Sequence, residues 1–300
     1  MELRQLRYFV EVARIEHFSK AAESLHIAQS ALSRQVGLLE KELGVELFER
    51  EGRNVKLTFI GKMFLEQAIL ALKAVDNASR LVEEYLEPER GIIRIGFPSS
   101  IASSMLPSII SAFKKEHPDV RFHLKQASYD TLTEGIKKRE IDLAFIGPVP
   151  ANDPEIHAHI LFSENFLAML SDTHSLAEFE SLSLNQLEPE PFVLFPEGFM
   201  LRQIVVDACV QAGFQPSIPY EGEDLDAIKG LVSSGIGVTL LPETTLFGNL
   251  PEGLKKIKIT YPDVKRSVGL IIPKNRKLSP SENLFYEFVL EYFRHLNMWT

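Results

Sequence analysis

The sequence predicts an α/β protein with three parts: a small helical unit that ends in a two-stranded hairpin, one long helix, and a larger unit of alternating strands and helices. Short helical patterns fill residues 1–58, one uninterrupted helical pattern fills residues 59–88, and apolar strand patterns start after residue 91. The length of 300 residues suits two or three domains. We therefore predict domains at 1–58, 59–88 and 91–300.

Three short helices and a hairpin are predicted in the first domain. An apolar stripe marks the first helix, Ser19 is expected to cap the second, and the third spans 29–43 and ends before Gly44. The apolar residues of the first two helices are Leu6, Phe9, Val10, Ala13, Ala21, Ala22 and Leu25. Residues 47–57 are apolar on both sides of a basic tip, which favours a hairpin. Together these elements describe a winged helix-turn-helix.

The third predicted helix has two faces of opposite character. Its apolar face comprises Leu32, Val36, Leu39 and Leu43. Another face, Ser30, Ser33, Arg34 and Gly37, has no acid and no large apolar side chain. A small polar face with one cation can enter a DNA major groove and hydrogen-bond to base edges. The candidate base-reading residues, called here the recognition face, are Gln29, Ser30, Ser33 and Arg34. The alternative is an ordinary solvent-exposed helix.

Basic residues outside this helix are candidates for phosphate or minor-groove contacts, which position a protein on DNA without reading its sequence. They are Arg50, Arg53 and Lys56 in the hairpin, with Lys20 and Thr58 as weaker candidates. A solvated basic turn is the alternative. The net charge of −9 is uneven, because residues 1–60 hold nine Lys or Arg and nine Asp or Glu. A neutral unit binds phosphate only if its bases share one face, and a dimer would double the contacts.

The long helix is predicted to form a dimer. Thr58 is expected to cap it, and it runs to about Leu86, before Pro88. Apolar residues alternate spacings of three and four at Leu65, Ala68, Leu72, Val75, Ser79, Val82 and Leu86. That spacing is typical of a coiled-coil seam, which a second copy of the chain would cover. Packing against the third domain is the alternative.

The third domain alternates strands and helices, which predicts two α/β lobes with a ligand cleft at the strand ends. Strands are predicted at 92–97, 120–124, 141–146, 192–195, 237–241 and 268–272. Helices are predicted around 106–113 and at 199–213, 224–234 and 281–296.

Several totals and motifs restrict the function. A single cysteine, Cys209, suits a reducing cytosol, and no signal peptide or apolar run of ~20 residues is evident, so we expect a cytoplasmic protein with no membrane partner. His157 and His159 lack neighbouring cysteines, so we expect no metal. Glu221, Glu223, Asp224 and Asp226 are interpreted as acids at a helix start. Gly235 and Gly237 lead into a strand, so they form no dinucleotide loop. We find no catalytic set and expect no enzyme.

Residues 1–60 resemble the DNA-binding domain of LysR-type transcriptional regulators. The matching residues are Leu6, Phe9, Phe18, Ser19, Ala21, Ala22, Leu25, Gln29–Ser33, Leu39, Glu40, Leu43, Gly44, Leu47, Phe48, Arg50, Leu57, Thr58 and Gly61. The resemblance covers the whole chain and implies promoter DNA as a partner, dimers through the linker helix, tetramers through the effector domains and contact with RNA polymerase. It also implies an effector domain like periplasmic binding proteins, with lobe I at 91–162 and 268–300 and lobe II at 163–267.

The resemblance implies a small-molecule effector, often a carboxylate, and no other cofactor. The expected effector-binding residues are Ser99, Ser100, Ser128, Gly147, Pro148, Phe199 and Arg202. The hydroxyls at Ser99 and Ser100 precede a predicted helix, whose start favours an anion, and Arg202 is suited to a carboxylate. Simple capping is the alternative for the serines, and core packing or a surface charge for Phe199 and Arg202.

Residues 193–199 and 221–230 are similar to a family member that activates glutamate synthase genes. This similarity implies an activator of nitrogen or glutamate biosynthesis that responds to 2-oxoglutarate or glutamate. The alternatives are control of another pathway by a different small carboxylate and, more remotely, a solute-binding protein.

Overall fold

The computed structural model describes residues 1–51, 54–86, 90–102, 105–246 and 250–297. The chain divides into two compact units, Met1–Glu83 and Glu84–Thr300, each of which is described by itself. No helix in the described ranges is both long enough and apolar enough to cross a bilayer.

The first unit contains the predicted helices and hairpin. Its elements are α1 (Leu3–Ile15), α2 (Phe18–Ser24), α3 (Gln29–Leu43), β1 (Phe48–Glu51), β2 (Asn54–Leu57) and the start of α4 (Phe59–Leu86). The core is apolar and fully buried at Phe9, Leu32 and Leu39. α3 ends as predicted, because Gly44 adopts a left-handed conformation with φ +72°. Leu43, predicted to be buried, is only half-buried.

One detail of the predicted helices is wrong. Ser19 does not cap α2, because the helix begins at Phe18, two residues before the start that a Ser19 cap implies, and the His17 ring nitrogen accepts a hydrogen bond from the Lys20 amide at 3.4 Å. In α1 Val10 is half-buried and packs against the core, and Val12, which the predicted stripe did not include, is fully buried.

The hairpin is tied to α3 and to α4 by a few specific contacts. β1 and β2 pair in antiparallel register, with Phe48 opposite Leu57. One carboxylate oxygen of Glu40 accepts hydrogen bonds from the amides of Leu47 (2.8 Å) and Phe48 (3.2 Å). Gly61 lets α4 lie close to the residue before β1, because a Cβ at position 61 would lie 2.1 Å from the Leu47 carbonyl oxygen.

The long helix uses its predicted seam in two ways. Leu65, Ala68 and Leu72 pack against the core of the first unit, so this half of the seam is covered neither by a second copy of the chain nor by the third domain. Val75 is half-buried, and Ser79 and Val82 are exposed. The described large apolar side chains of α4 that stay exposed are Phe59, Ile60, Met63, Leu70, Val82, Tyr85 and Leu86.

The second unit is built on an eight-stranded sheet with strand order β4-β3-β5-β12-β6-β11-β7, in which β10 also pairs with β6. The strands are β3 (Ile92–Phe97), β4 (Arg121–Gln126), β5 (Leu143–Ile146), β6 (Ile156–Ser171), β7 (Ser181–Ser183), β10 (Thr239–Pro242), β11 (Leu254–Tyr261) and β12 (Lys265–Pro273). A separate parallel pair comprises β8 (Pro191–Leu194) and β9 (Ser217–Glu221). The helices are α5 (Ser99–Ala102), α6 (Leu106–Glu116), α7 (Tyr129–Lys137), α8 (Met200–Gln211), α9 (Leu225–Ser233) and α10 (Pro280–Asn297), with one-turn 3₁₀ helices at Leu184–Leu187 and Glu243–Leu246.

The sheet separates distinct apolar cores. In β5, Leu143 and Phe145 face a core shared with α6 and α10, whereas Ala144 and Ile146 face a second core shared with α7. Residues 166–264 supply the largest core, which includes α8 and α9. The exact limits of the two lobes stay predictions.

The chain passes between these cores in β6 and returns in β12, and the two crossing strands pair with each other in antiparallel register. β6, β7, β9, β11 and α7 were not predicted from the sequence, and β12 begins three residues before its predicted start at 268. Buried polar residues such as Glu164 and Arg266, which pair with each other, interrupt the apolar pattern by which the crossing strands would be recognised.

Candidate DNA-binding surface and ligand cavity

The recognition face lies on the exposed side of α3. Gln29, Ser30 and Arg34 are exposed and Ser33 is half-buried, while the opposite side of the helix is buried in the core. No acid in the described part of the chain pairs with Arg34. An exposed guanidinium with five N–H donors and no internal partner is available for a base edge or a phosphate.

The other DNA-contact candidates differ in what the structure describes. Lys20 and Lys56 are exposed. Arg53 lies outside the described residues, and the side chain of Arg50 in β1 is not described. Thr58 has a structural role: its hydroxyl donates to the Glu46 carbonyl oxygen (2.8 Å) and accepts from the Gly61 amide (3.0 Å), which caps α4 as predicted.

A cavity of about 240 Å³ opens in the second unit, and we call it the ligand cavity. Five of the seven predicted effector-binding residues line it: Ser99, Ser100, Ser128, Gly147 and Phe199. Pro148 and Arg202 are not among its lining residues. These residues are far apart in the chain. They meet at the cavity because they lie just after β3, β4 and β5 and just before α8.

The serines of the ligand cavity also have structural roles, as helix caps or as hydrogen-bond partners. Ser128 caps α7, since its hydroxyl oxygen lies 3.4 Å from the Thr131 amide, which donates to it, and 2.9 Å from the Thr131 hydroxyl. Ser99 and Ser100 begin α5, which is described over Ser99–Ala102, and the anion-binding helix start predicted there stays a prediction. Ser100 is nevertheless buried and hydrogen-bonded in the cavity wall.

The two α8 candidates separate. The Phe199 ring stacks on Phe195, with centroids 5.2 Å apart and an interplanar angle of 17°, and both rings line the ligand cavity. Arg202 instead donates to the Phe195 carbonyl oxygen (2.9 Å) and to a carboxylate oxygen of Glu221 (2.5 Å). Its charge is therefore used within the lobe, beside a neighbouring groove that it lines with Glu197.

Arg266 lines the ligand cavity and was missed by the sequence analysis. Its Nε donates to Glu164 Oε1 (2.7 Å) and its Nη1 donates to the Ser100 hydroxyl (3.1 Å). Burial lowers the pKa of the guanidinium, and the adjacent Glu164 carboxylate opposes that shift. The second oxygen of Glu164 accepts from the amide (3.0 Å) and the hydroxyl (2.7 Å) of Thr244. The sequence signal was two consecutive cations, Lys265 and Arg266, just before the predicted strand at 268–272.

Asp224 and Asp226 lie at the start of α9 as predicted, whereas Glu221 lies in β9 and pairs with Arg202. Asp224 caps α9, with a carboxylate oxygen that accepts from the amides of Asp226 (2.8 Å) and Ala227 (3.1 Å). Within the described ranges, no three His, Cys, Asp or Glu side chains are grouped as a metal site would need. Cys209 is buried, and burial raises the pKa of its thiol to about 12.

Comparison with known families accounts for both units. Residues 3–62 match the family described as bacterial regulatory helix-turn-helix protein, lysR family, and residues 86–294 match the LysR substrate binding domain. The chain belongs to the LysR family of DNA-binding transcriptional regulators. The family and the fold class that the sequence predicts are thereby confirmed.

Relatives of this LysR-family chain are described as regulators. It is 56% identical over 299 residues to the transcriptional dual regulator GltC of Bacillus subtilis, covering 100% of each chain. It is 34% identical to the uncharacterized regulator YybE of the same organism, covering 98% of this chain and 99% of YybE. Among solved structures it is similar to full-length CbnR complexed with its target DNA (TM-score 0.76, 26% identity), covering 97% of this chain and 99% of CbnR.

Proposed function

We propose that this LysR-family regulator binds promoter DNA as a homodimer through the recognition face of α3, and that a small carboxylate in the ligand cavity controls it. The observation that carries the DNA-binding part is the exposed Arg34, which pairs with no acid among the described residues, on a helix whose opposite face is buried. The solved complex of the similar protein CbnR with its target DNA supports the same use of this unit.

The homodimer is supported by charge and by exposed apolar area. One copy of the first sixty residues has no net positive charge, so two copies on one DNA site are needed for strong phosphate contact. The exposed apolar residues of α4, among them Met63, Leu70 and Val82, form a surface that a second helix would cover. Tetramers and contact with RNA polymerase follow from the family resemblance alone, as does a cytoplasmic site of action on DNA.

A small carboxylate suits the ligand cavity for two reasons. Its volume of about 240 Å³ is below the range typical of drug-sized ligands, so it fits a small metabolite. The N-termini of α7 and α8, helices of nine and twelve residues, lie at its wall, as does Arg266. We propose 2-oxoglutarate or glutamate as the effector and activation of glutamate biosynthesis genes as the outcome, supported by the similarity of residues 193–199 and 221–230 to such an activator. Another small carboxylate and pathway is the second candidate.

The DNA-binding part is tested by fluorescence anisotropy with duplexes from upstream of the chain's own gene. We expect specific binding that weakens steeply with salt, and two protected half-sites about one helical turn or a multiple of it apart. Equal affinity for these duplexes and for unrelated DNA of the same length would contradict the proposal.

The effector part is tested by DNA binding and in vitro transcription with 2-oxoglutarate, L-glutamate and L-glutamine. We expect one of the two dicarboxylates, 2-oxoglutarate or L-glutamate, to raise transcription, because only a ligand with different affinity for two states shifts their balance. Unchanged transcription with every compound would contradict this choice of effector and leave the DNA-binding part standing. The same assay shows whether the chain activates or represses.

A further inference from the structure

The guanidinium of Arg266 has more hydrogen-bond donors than the described structure satisfies. It carries five N–H bonds. Nε is used by Glu164 and Nη1 by Ser100, but Nη2 is buried with no hydrogen-bond partner in the described part of the chain. Nη2 lies 2.7 Å from Glu164 Oε1, the same oxygen that already accepts from Nε, without the geometry of a hydrogen bond. A buried cationic donor left unpaired is costly, so a further acceptor at this point is strongly favoured.

Arg266, which carries this unsatisfied donor, is a lining residue of the ligand cavity. Arg266 is 3% exposed and lines the cavity together with Ser100, which it contacts. Among the described residues that line the cavity, the one charged side chain besides Arg266 is Glu223, which is exposed. A carboxylate is the ligand group whose geometry best matches a guanidinium edge.

We propose that Arg266 is the carboxylate anchor of the ligand cavity, and that Glu164 is a built-in competitor that holds the guanidinium while no ligand is bound. This inference rests on the proposed effector class and adds the residue pair that recognises it. A bound carboxylate would accept hydrogen bonds from the Arg266 guanidinium. The donors are Nε, which now donates to Glu164 Oε1, and Nη2, which has no hydrogen-bond partner among the described residues.

The same pair links two helices that are far apart in the chain. Ser100 belongs to α5, which follows β3, and Thr244 belongs to the 3₁₀ helix that follows β10. Hydrogen bonds run from Ser100 through Arg266 and Glu164 to Thr244, and Arg266 and Glu164 are direct partners across β12 and β6. A ligand that accepts hydrogen bonds from Arg266 therefore competes with the Arg266–Glu164 ion pair, which joins β12 to β6.

The test uses the full-length protein, with glutarate and its neutral diamide, glutaramide, as a matched pair of probes at equal ionic strength. Binding is followed by calorimetry and by the ligand-induced change in melting temperature. In the wild type we expect glutarate to bind and glutaramide not to bind. The double variant Arg266→Met with Glu164→Gln removes both charges, so it leaves no unpaired buried ion and is expected to fold. Its glutarate affinity should fall about 10- to 100-fold, as expected for a lost charged hydrogen bond.

Glu164→Gln alone distinguishes an anchor from a merely structural arginine. This substitution leaves the buried Arg266 guanidinium without its carboxylate partner, so the ligand-free variant should melt at a lower temperature than the ligand-free wild type. Glutarate should then raise its melting temperature by more than it does in the wild type, because the ligand replaces the missing carboxylate. Arg266→Lys keeps the charge but loses the planar donors, and its glutarate affinity should lie between those of the wild type and the double variant.

A matched control removes a half-buried arginine and its buried glutamate partner, which do not line the cavity: Arg276→Met with Glu282→Gln. Asp142, which Arg276 also contacts, keeps its ion pair with Arg94. The stability of this control variant changes, but its glutarate affinity should equal that of the wild type. Wild-type affinity in the Arg266–Glu164 double variant, or no extra stabilisation of Glu164→Gln by glutarate, would overturn the anchor and leave the proposed effector class standing. Failure of glutarate, 2-oxoglutarate and glutamate to bind the wild type would overturn both.

Discussion

Replacing Arg34 by alanine should weaken DNA binding without weakening the fold. The side chain is exposed and no described acid pairs with it, so its loss should change the free energy of unfolding by less than about 0.5 kcal/mol. A bidentate contact between arginine and guanine is worth about 1–3 kcal/mol. Two copies in a dimer double this to about 2–6 kcal/mol, which corresponds to a loss of affinity of about 30-fold to 10⁴-fold.

Anisotropy titrations over a salt series, with every base pair of the half-site varied in turn, measure this effect. If Arg34 reads a base, Arg34→Ala relaxes the preference at one position of each half-site and leaves the salt dependence nearly unchanged. If it contacts phosphate, the loss is uniform across sequences and the salt slope falls by about 1 for each copy. Lys41→Ala is the matched control, because it removes a cation two turns further along the same helix. An affinity loss no larger for Arg34→Ala than for Lys41→Ala would refute the assignment of the recognition face.

Three further predictions concern the packing of both units. Glu40→Ala removes the acceptor of the Leu47 and Phe48 amides and should lower the free energy of unfolding by about 2–4 kcal/mol, measured by urea denaturation; Glu40→Gln, which keeps an acceptor, should cost less. Gly61→Ala places a Cβ against the Leu47 carbonyl and should destabilise the first unit by at least about 1–3 kcal/mol in the same assay. Because burial raises the pKa of the Cys209 thiol to about 12, iodoacetamide should modify the native protein at least about 10³-fold more slowly than the urea-unfolded protein.

Each of these has a clear contrary result. Equal stability of the two Glu40 variants would mean that the amides of the hairpin find other acceptors. A Gly61→Ala protein as stable as the wild type would show that α4 moves away from the hairpin at no cost. Labelling of native Cys209 at the unfolded rate would show that the α8 core opens readily.

The sequence was most informative where structure depends on neighbours in the chain. The limits of α3 were predicted to the residue, because the apolar spacing of Leu32, Val36 and Leu39 and the stop at Gly44 are all local. The cavity serines were predicted for a similar reason, since they directly follow strands. β6 was missed because it pairs first with β12 and then with β10 and β11, so its burial follows no single period.

Partners far apart in the chain account for the errors at the site. Arg266 acts through Glu164, which is 102 residues away, so no local pattern marks it as part of the ligand cavity. Arg202 was expected to face a ligand, but Glu221 on the unpredicted strand β9 takes its charge. The predicted seam of α4 was only half right, because spacing alone does not say which end of a helix its own domain covers.

The pairing of the two crossing strands also makes the region between them an insertion whose ends meet. Ser163 and Ser267 are direct partners across β6 and β12, and such pairs have Cα atoms about 4.5–5.5 Å apart. The segment between Ser163 and Ser267 can therefore be exchanged between relatives through two neighbouring junctions in the β6–β12 pair. It can also be replaced by a two-residue turn such as Asn-Gly, which would join β6 to β12 directly. Glu164 and Arg266 lie just inside those junctions, so recombination would transfer both charges together and never leave one buried ion without the other.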